Sequence, residues 1–277
     1  MARVMTPRRA RHWMHRRTGT RNWNIHADYR PARWPPDGFV TGAPGFIGVG
    51  GQRCGSTWWF TSICRHPDVY HHPDLGKEIR YLVRFHDHEP DAQQVAEYAA
   101  WFPRPADRPD VQVGEWTPYY MAYPWIPPAI TTVAPGAKVI ASLRDPVERF
   151  CSGLALQRVH GRRSEVATLR QIGLGFYGHQ VANLMQTIPA RDLLVLQYEQ
   201  CREDPVGQLA RTYEFLGLEP FAVPEAELRQ PAGRVFTEKP GLSADRRKLL
   251  VEAYAPDVEQ VFSMLGSFDR SLWTNFT

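Results

Sequence analysis

Apolar residues along this chain fall into two alternating patterns. Short runs without polar alternation occur at Phe46 to Val49, Val111 to Gly114, Val139 to Leu143 and in DLLVLQYE at 192–199, the signature of strands covered on both faces. Between them lie stretches of helical period: Trp58, Trp59, Phe60 and Ile63; Ala92 to Trp101; GFYGHQVANLMQTIP; and DPVGQLARTYEFLGL, which Gly217 closes. After Ser243, a predicted N-cap, the positions Leu249, Leu250, Ala253 and Tyr254 keep a helical period, and Pro256 predicts a restart as a second helix ending at Gly266. Strand and helix taking turns in this way predict an α/β fold of three layers, with a mainly parallel central sheet flanked by helices. The proline-rich FPRPADRPD reads as a surface loop.

The first handover from strand to helix carries the most chemistry. In GFIGVGGQRCGSTWWFTSICRHP, Gly50, Gly51 and Gly55 supply the positive φ angles and close backbone approach of an anion-cradling turn. The amides of Ser56, Thr57 and Trp58 then open a helix, whose start attracts anions. The turn is P-loop-like, since Gly50 and Gly55 have the spacing of G-x-x-x-x-G-K-[ST], yet Ser56 stands where the lysine belongs. Arg53 is the cation on the turn itself. A phosphate fits such a loop better than a magnesium nucleoside triphosphate does.

The third run ends in KVIASLRDPVERFCSGLAL. Asp145 reads as an N-cap, Pro146 as the first helical residue and Glu148 as the partner in a D-x-x-E capping box. Capping leaves Arg144 and Ser152 unexplained. Both fall beyond a strand's carboxyl end, where open parallel sheets bind ligands, and together they suit a phosphate.

These segments carry a resemblance. QRCGSTW resembles the 5′-phosphosulfate loop of sulfotransferases that use 3′-phosphoadenosine 5′-phosphosulfate (PAPS), with Arg53 on the family's basic residue, and LRDPVERFCS resembles their 3′-phosphate motif LRDP-x-x-R-x-x-S. The two lie about 90 residues apart, and similarity to bacterial and heparan-sulfate-type members runs from about 45 to 273. It implies that Arg53, Cys54, Gly55, Ser56, Thr57, Trp58, Arg144 and Ser152 hold the donor, with Lys239 reaching it from the irregular stretch 220–241, where Arg234 is the other cation. Adenosine 3′,5′-bisphosphate would be the product, and no metal is implied; His71, His72, His86 and His88 match no ligand spacing.

HPDVYHHPDLGKEIRYLVRF places Glu78 on the family's proposed catalytic base. By itself Glu78 reads either as a base beside a basic loop or as an ion pair with Lys77 and Arg80. GEWTPYYM departs from the family's GEKTP-x-Y, with Trp116 replacing a lysine, so that Arg53, Arg80 or Lys77 supplies the charge or an aromatic acceptor stacks on Trp116. Glu115 is either a polar group in the site or a strand-end residue. Arg80, Glu115, Trp116 and Tyr177 are the candidate acceptor contacts, and the basic loop RVHGRRSEVATLR either borders that pocket or is a solvated face. The reading is sulfuryl transfer to a hydroxyl, less readily an amine, of a small molecule or carbohydrate.

Composition changes the picture only at the amino terminus. The 277 residues are 43% hydrophobic and 22% charged, ordinary for a globular domain. The net charge of +4 hides an asymmetry: residues 1–38 hold nine arginines against two aspartates, a net +7, and 39–277 carry −3. We read 1–38 as a flexible arginine-rich leader and 39–277 as the catalytic domain. Without an apolar span or a secretory h-region, and with Cys54, Cys64, Cys151 and Cys201 dispersed, a reducing bacterial cytoplasm is the expected compartment. Two other classes remain open: a P-loop kinase, which needs the absent lysine and an acidic magnesium ligand, and a nucleic-acid-binding protein acting through the leader.

Overall fold

The computed structural model describes residues 35, 37–159, 164–229 and 241–277. The leader up to residue 34, residue 36, and Arg234 and Lys239 lie outside the described residues. In chain order the strands are β1 (Phe39–Thr41), β2 (Phe46–Gly48), β3 (Pro103–Pro105), β4 (Gly114–Trp116), β5 (Lys138–Leu143) and β6 (Leu193–Gln197). Four of them form one sheet in the order β4-β2-β5-β6, every neighbour parallel. β1 and β3 pair antiparallel in a small separate ribbon.

Side-chain alternation turns this sheet into the middle of three layers. Ile47, Val139, Ala141, Leu143 and Val195 face one core, with Ile126, Ile130, Val181, Leu184, Val258 and Val261 from the helices against it. Phe46, Ile140, Leu194 and Leu196 face the other, against Trp59, Phe60, Ile63, Leu209 and Tyr213. Strands buried on both faces need continuous apolar runs, and parallel strands need helical crossovers. This is the α/β, mainly parallel architecture the pattern predicts.

Several boundaries differ from expectation for identifiable reasons. The second strand is Gly114–Trp116 rather than Val111 to Gly114. Val111 and Val113 are buried, but Gln112 between them bridges to Val69, so the run is held sideways before the chain enters the sheet. Entry comes at Gly114, where a Cβ would lie 2.5 Å from the Phe46 carbonyl oxygen. FPRPADRPD is not merely a surface loop: Phe102 is buried and Pro103–Pro105 form β3. Pro256 does not split the carboxyl-terminal helix, which runs unbroken over Ala244–Met264 with Ser243 Oγ accepting from the Arg246 amide. Within RVHGRRSEVATLR, Glu165–Gly173 is a helix, because Ser164 caps it by accepting from the Ala167 amide.

Candidate active site

The loop after β2 leads into helix α1 (Ser56–Ile63). Positive φ falls on Arg53 (70°) and Gly55 (84°), while Gly50 and Gly51 serve only by being small. A Cβ on Gly50 would lie 1.8 Å from Met121 Sδ, and one on Gly51 3.1 Å from the Ser142 carbonyl oxygen. Holding arginine in the left-handed region costs about 1 kcal/mol, so the fold pins it there against its preference. The pins are visible: the Gly51 amide donates to Ser142 O at 2.6 Å, and Ser142 Oγ donates to the Cys54 carbonyl at 2.7 Å. No side chain caps α1, and its first turn has no acid, so the amides at its start remain available to an anion. Ser56 is buried there, and Thr57 is exposed.

The end of β5 meets this loop from the side. Arg53 Nε donates to Ser152 Oγ at 3.0 Å across 99 residues, and Arg144 Nη1 lies 3.5 Å from the Arg53 carbonyl oxygen. Arg144 Nε is buried without a hydrogen-bond partner. Burial, and after it the Arg144 charge, lower the Arg53 pKa from its ordinary value. Two guanidiniums drawn together with a buried donor unmet make a corner whose chemistry suits an anion. Asp145 Oδ1 caps the next helix, Pro146–Val159, by accepting from the Val147 and Glu148 amides. The reciprocal arm differs from the expected box: the Asp145 amide donates to Glu199 Oε1 at 3.1 Å, while Glu148 pairs with Arg247 and Arg144.

Opposite the loop sits Lys77-Glu78-Ile79-Arg80. Lys77 Nζ donates to Glu78 Oε1 at 3.2 Å and Arg80 Nε to Glu78 Oε2 at 3.2 Å. Lys77 Nζ also reaches Ser56 Oγ at 3.5 Å and the Trp116 carbonyl at 3.1 Å. Burial opposes ionisation of Glu78, but Lys77 and Arg80 outweigh it and hold the carboxyl below the usual range. Glu78 is thus at once an ion pair and a carboxylate beside the loop. Arg80 extends the wall outward over the Tyr119 ring, on which Arg170 also lies.

Three predicted acceptor contacts stand elsewhere. Trp116 is fully buried, its Nε1 donating to the Gly50 carbonyl at 2.9 Å and its ring on Gly48, so it supports the loop from beneath and offers no stacking face. Glu115 is a strand residue: its oxygens accept from the Ile79 amide, Thr117 Oγ1, Tyr98 OH and Tyr120 OH. Those bonds lower its pKa, yet burial still leaves it raised. By gripping the Ile79 amide it fixes the backbone next to Glu78. Tyr177 is fully buried, and its OH donates to the Arg144 carbonyl at 3.0 Å and lies 3.5 Å from Cys54 Sγ. The buried Cys54 thiol, its pKa pushed up to about 11, is likewise a packing group.

Tyr198 and Glu199 are the residues that sequence reasoning missed, although LQYE was in view. Arg144 lies 4.8 Å above the Tyr198 ring, Trp58 meets that ring edge-on, and a Cβ on Gly55 would touch it at 2.7 Å. Trp58 Nε1 donates to the Leu228 carbonyl at 2.6 Å. Glu199 Oε2 accepts from Trp273 Nε1 at 3.0 Å, and burial raises the Glu199 pKa to about 7. A carboxyl whose folded pKa exceeds its unfolded value stabilises the fold at low pH and loses that contribution as pH rises through the folded value. The native state should therefore lose about 3 kcal/mol at this group between pH 4.5 and 7. Glu199→Gln should remove that slope, and urea unfolding of both proteins at pH 5 and pH 8 measures it; parallel profiles would show that Glu199 titrates normally.

A parallel α/β sheet whose first central strand feeds a glycine turn and an uncapped helix start defines a P-loop-like fold. Comparison with known proteins agrees. Residues 91–222 match the model described as "Sulfotransferase family", a span that holds the Arg144 segment and begins after the first loop. The membrane-associated sulfotransferase kil1 of Dictyostelium discoideum is 33% identical over 119 residues, 43% of this chain and 24% of that protein. Heparan sulfate glucosamine 3-O-sulfotransferase 6 of Mus musculus is 28% identical over 184 residues, 61% of this chain and 51% of the relative. The chain thus spans only about a quarter to a half of these relatives. The crystal structure of a sulfotransferase from Alicyclobacillus acidocaldarius superposes with a TM-score of 0.67 at 20% identity, over 84% of this chain and 99% of that one, a likeness of fold. Over residues 91–222 the chain is thus similar to the sulfotransferase family, and its fold is that of a solved sulfotransferase.

Among the described residues no helix is long and apolar enough to cross a membrane, and no three metal-ligating side chains gather.

Proposed function

We propose that this protein transfers the sulfuryl group of PAPS to a hydroxyl of a small-molecule or carbohydrate acceptor. The carrying observation is the meeting of Arg53, Arg144 and Ser152 at an uncapped helix start, with Arg144 Nε buried and unmet. The residues present fit a nucleotide with a phosphate at each end. Arg53, Ser56, Thr57 and the first amides of α1 would hold the 5′ side, and Arg144 with Ser152 the 3′-phosphate, while Trp58 and Tyr198 offer ring surfaces. PAPS supplies an activated sulfuryl group whose leaving oxygen belongs to a phosphate. The protein's own work is positioning and charge: Glu78 accepts the acceptor's proton, and the loop amides and Arg53 meet the charge that develops on the leaving side. The names of the relatives, which include a glucosamine 3-O-sulfotransferase, favour a sugar hydroxyl.

Calorimetry with adenosine 3′,5′-bisphosphate and with magnesium ATP tests the reading. Tight, metal-independent binding of the bisphosphate is expected, both in the full chain and in one lacking residues 1–38. Preference for magnesium ATP would replace the reading with a kinase.

A further inference from the structure

The donor loop and the proposed base are joined by one side chain. Lys77 Nζ lies 3.5 Å from Ser56 Oγ at the start of α1 and 3.2 Å from Glu78 Oε1. Its third contact, the Trp116 carbonyl at 3.1 Å, is a backbone atom on the sheet floor. A group passing from an anion seated on the α1 amides to an oxygen beside Glu78 has to cross between those two ends. Lys77 spans that gap, partly buried, while Arg53 is turned toward Ser152 and Arg80 toward Tyr119.

We infer that Lys77 is a further catalytic residue, its ammonium bonding the sulfuryl oxygens in flight between the loop and the acceptor. The inference rests on the donor reading above. In the transfer the acceptor's O–H proton goes to the Glu78 carboxylate and the acceptor oxygen forms the new S–O bond. The old bond from sulfur to the bridging oxygen breaks, its electron pair leaving on the phosphate. Lys77 keeps its protons throughout. Its contribution is a positive charge where the equatorial oxygens gain negative charge. The partners it holds meanwhile, Glu78 and Ser56, mark the two ends of the path.

Orthovanadate added to the complex with adenosine 3′,5′-bisphosphate is the probe, because its five-coordinate form resembles a group in flight and its binding reads out without turnover. Wild-type protein should bind the bisphosphate and then vanadate. Lys77→Met should keep bisphosphate affinity within about threefold and lose vanadate affinity by at least about a hundredfold, the scale of one preorganised donor. Lys77→Arg, which preserves charge and fold, should recover most of the loss. Vanadate binding undiminished in Lys77→Met would overturn the role. Equal loss of bisphosphate and vanadate in a variant with an unchanged melting temperature would also overturn it, making Lys77 a support for the loop. If Lys77→Met does not fold, Lys77→Arg decides alone: near-normal vanadate binding supports the role, and binding abolished in the folded variant with the bisphosphate retained counts against a charge-based one. Failure of wild type to bind the bisphosphate is the separate signature of a wrong donor reading, and the inference falls with it.

Discussion

Glu78→Gln is expected to abolish turnover while leaving affinity for adenosine 3′,5′-bisphosphate within a few-fold. Glutamine keeps the shape of the side chain and can still accept from Lys77 or Arg80, so the segment stays in place. What it cannot do is take a proton, and removal of a positioned base costs about 10²–10⁴-fold. Nucleotide affinity should hold because the link from Glu78 to the loop runs through Lys77 and not through the loop itself. The ion pairs make a further demand on the pH profile. With its pKa held below the ordinary carboxylate value, Glu78 stays charged to lower pH, so activity should fall only as pH drops through that depressed value. Single-turnover rates alongside calorimetry provide the check; unchanged turnover removes Glu78 from the base role.

Arg144→Ala should weaken adenosine 3′,5′-bisphosphate by about a hundredfold, or about 3 kcal/mol, the worth of a charge-assisted two-point contact. The variant loses the buried Nε donor and the charge over Tyr198, while Glu148 keeps its bond to Arg247. Affinity for adenosine 5′-monophosphate, which lacks the 3′-phosphate, should move much less, and that contrast separates a lost contact from a collapsed site. Arg144→Lys should fall between, since a lysine keeps the charge without the planar fork. Equal affinity of wild type and Arg144→Ala for the bisphosphate would take Arg144 out of the donor site.

How much of this was legible in the sequence follows from how local each cause is. The glycine turn and the LRDP segment could be placed because a turn, a helix start and a strand end each lie within about ten contiguous residues, where local geometry decides. Trp116 and Tyr177 could not: the first is claimed by the Gly50 carbonyl 66 residues away, the second by the Arg144 carbonyl 33 residues away. Their aromatic chemistry suits an acceptor pocket, and only the packing shows that both serve the underside of the loop. Glu115 was ambiguous for the same reason, since three of its donors are side chains from other parts of the chain or the next turn of it. Pro256 misled in the opposite direction, because tertiary packing of Tyr254, Val258 and Val261 outweighs a local helix-breaking preference of about 3 kcal/mol.

One tie bears on how the site comes into being. Asn275 donates through its side chain and backbone to Asp145 Oδ2 across 130 residues, and Trp273 bonds Glu199. Those partners buttress the Arg144 corner, so the corner is finished by residues made well after the loop and the sheet. Contacts of such separation form late, after the loop they close has lost its freedom. A nascent chain with its sheet already paired would still lack a completed Arg144 corner until the segment at 273–275 had docked.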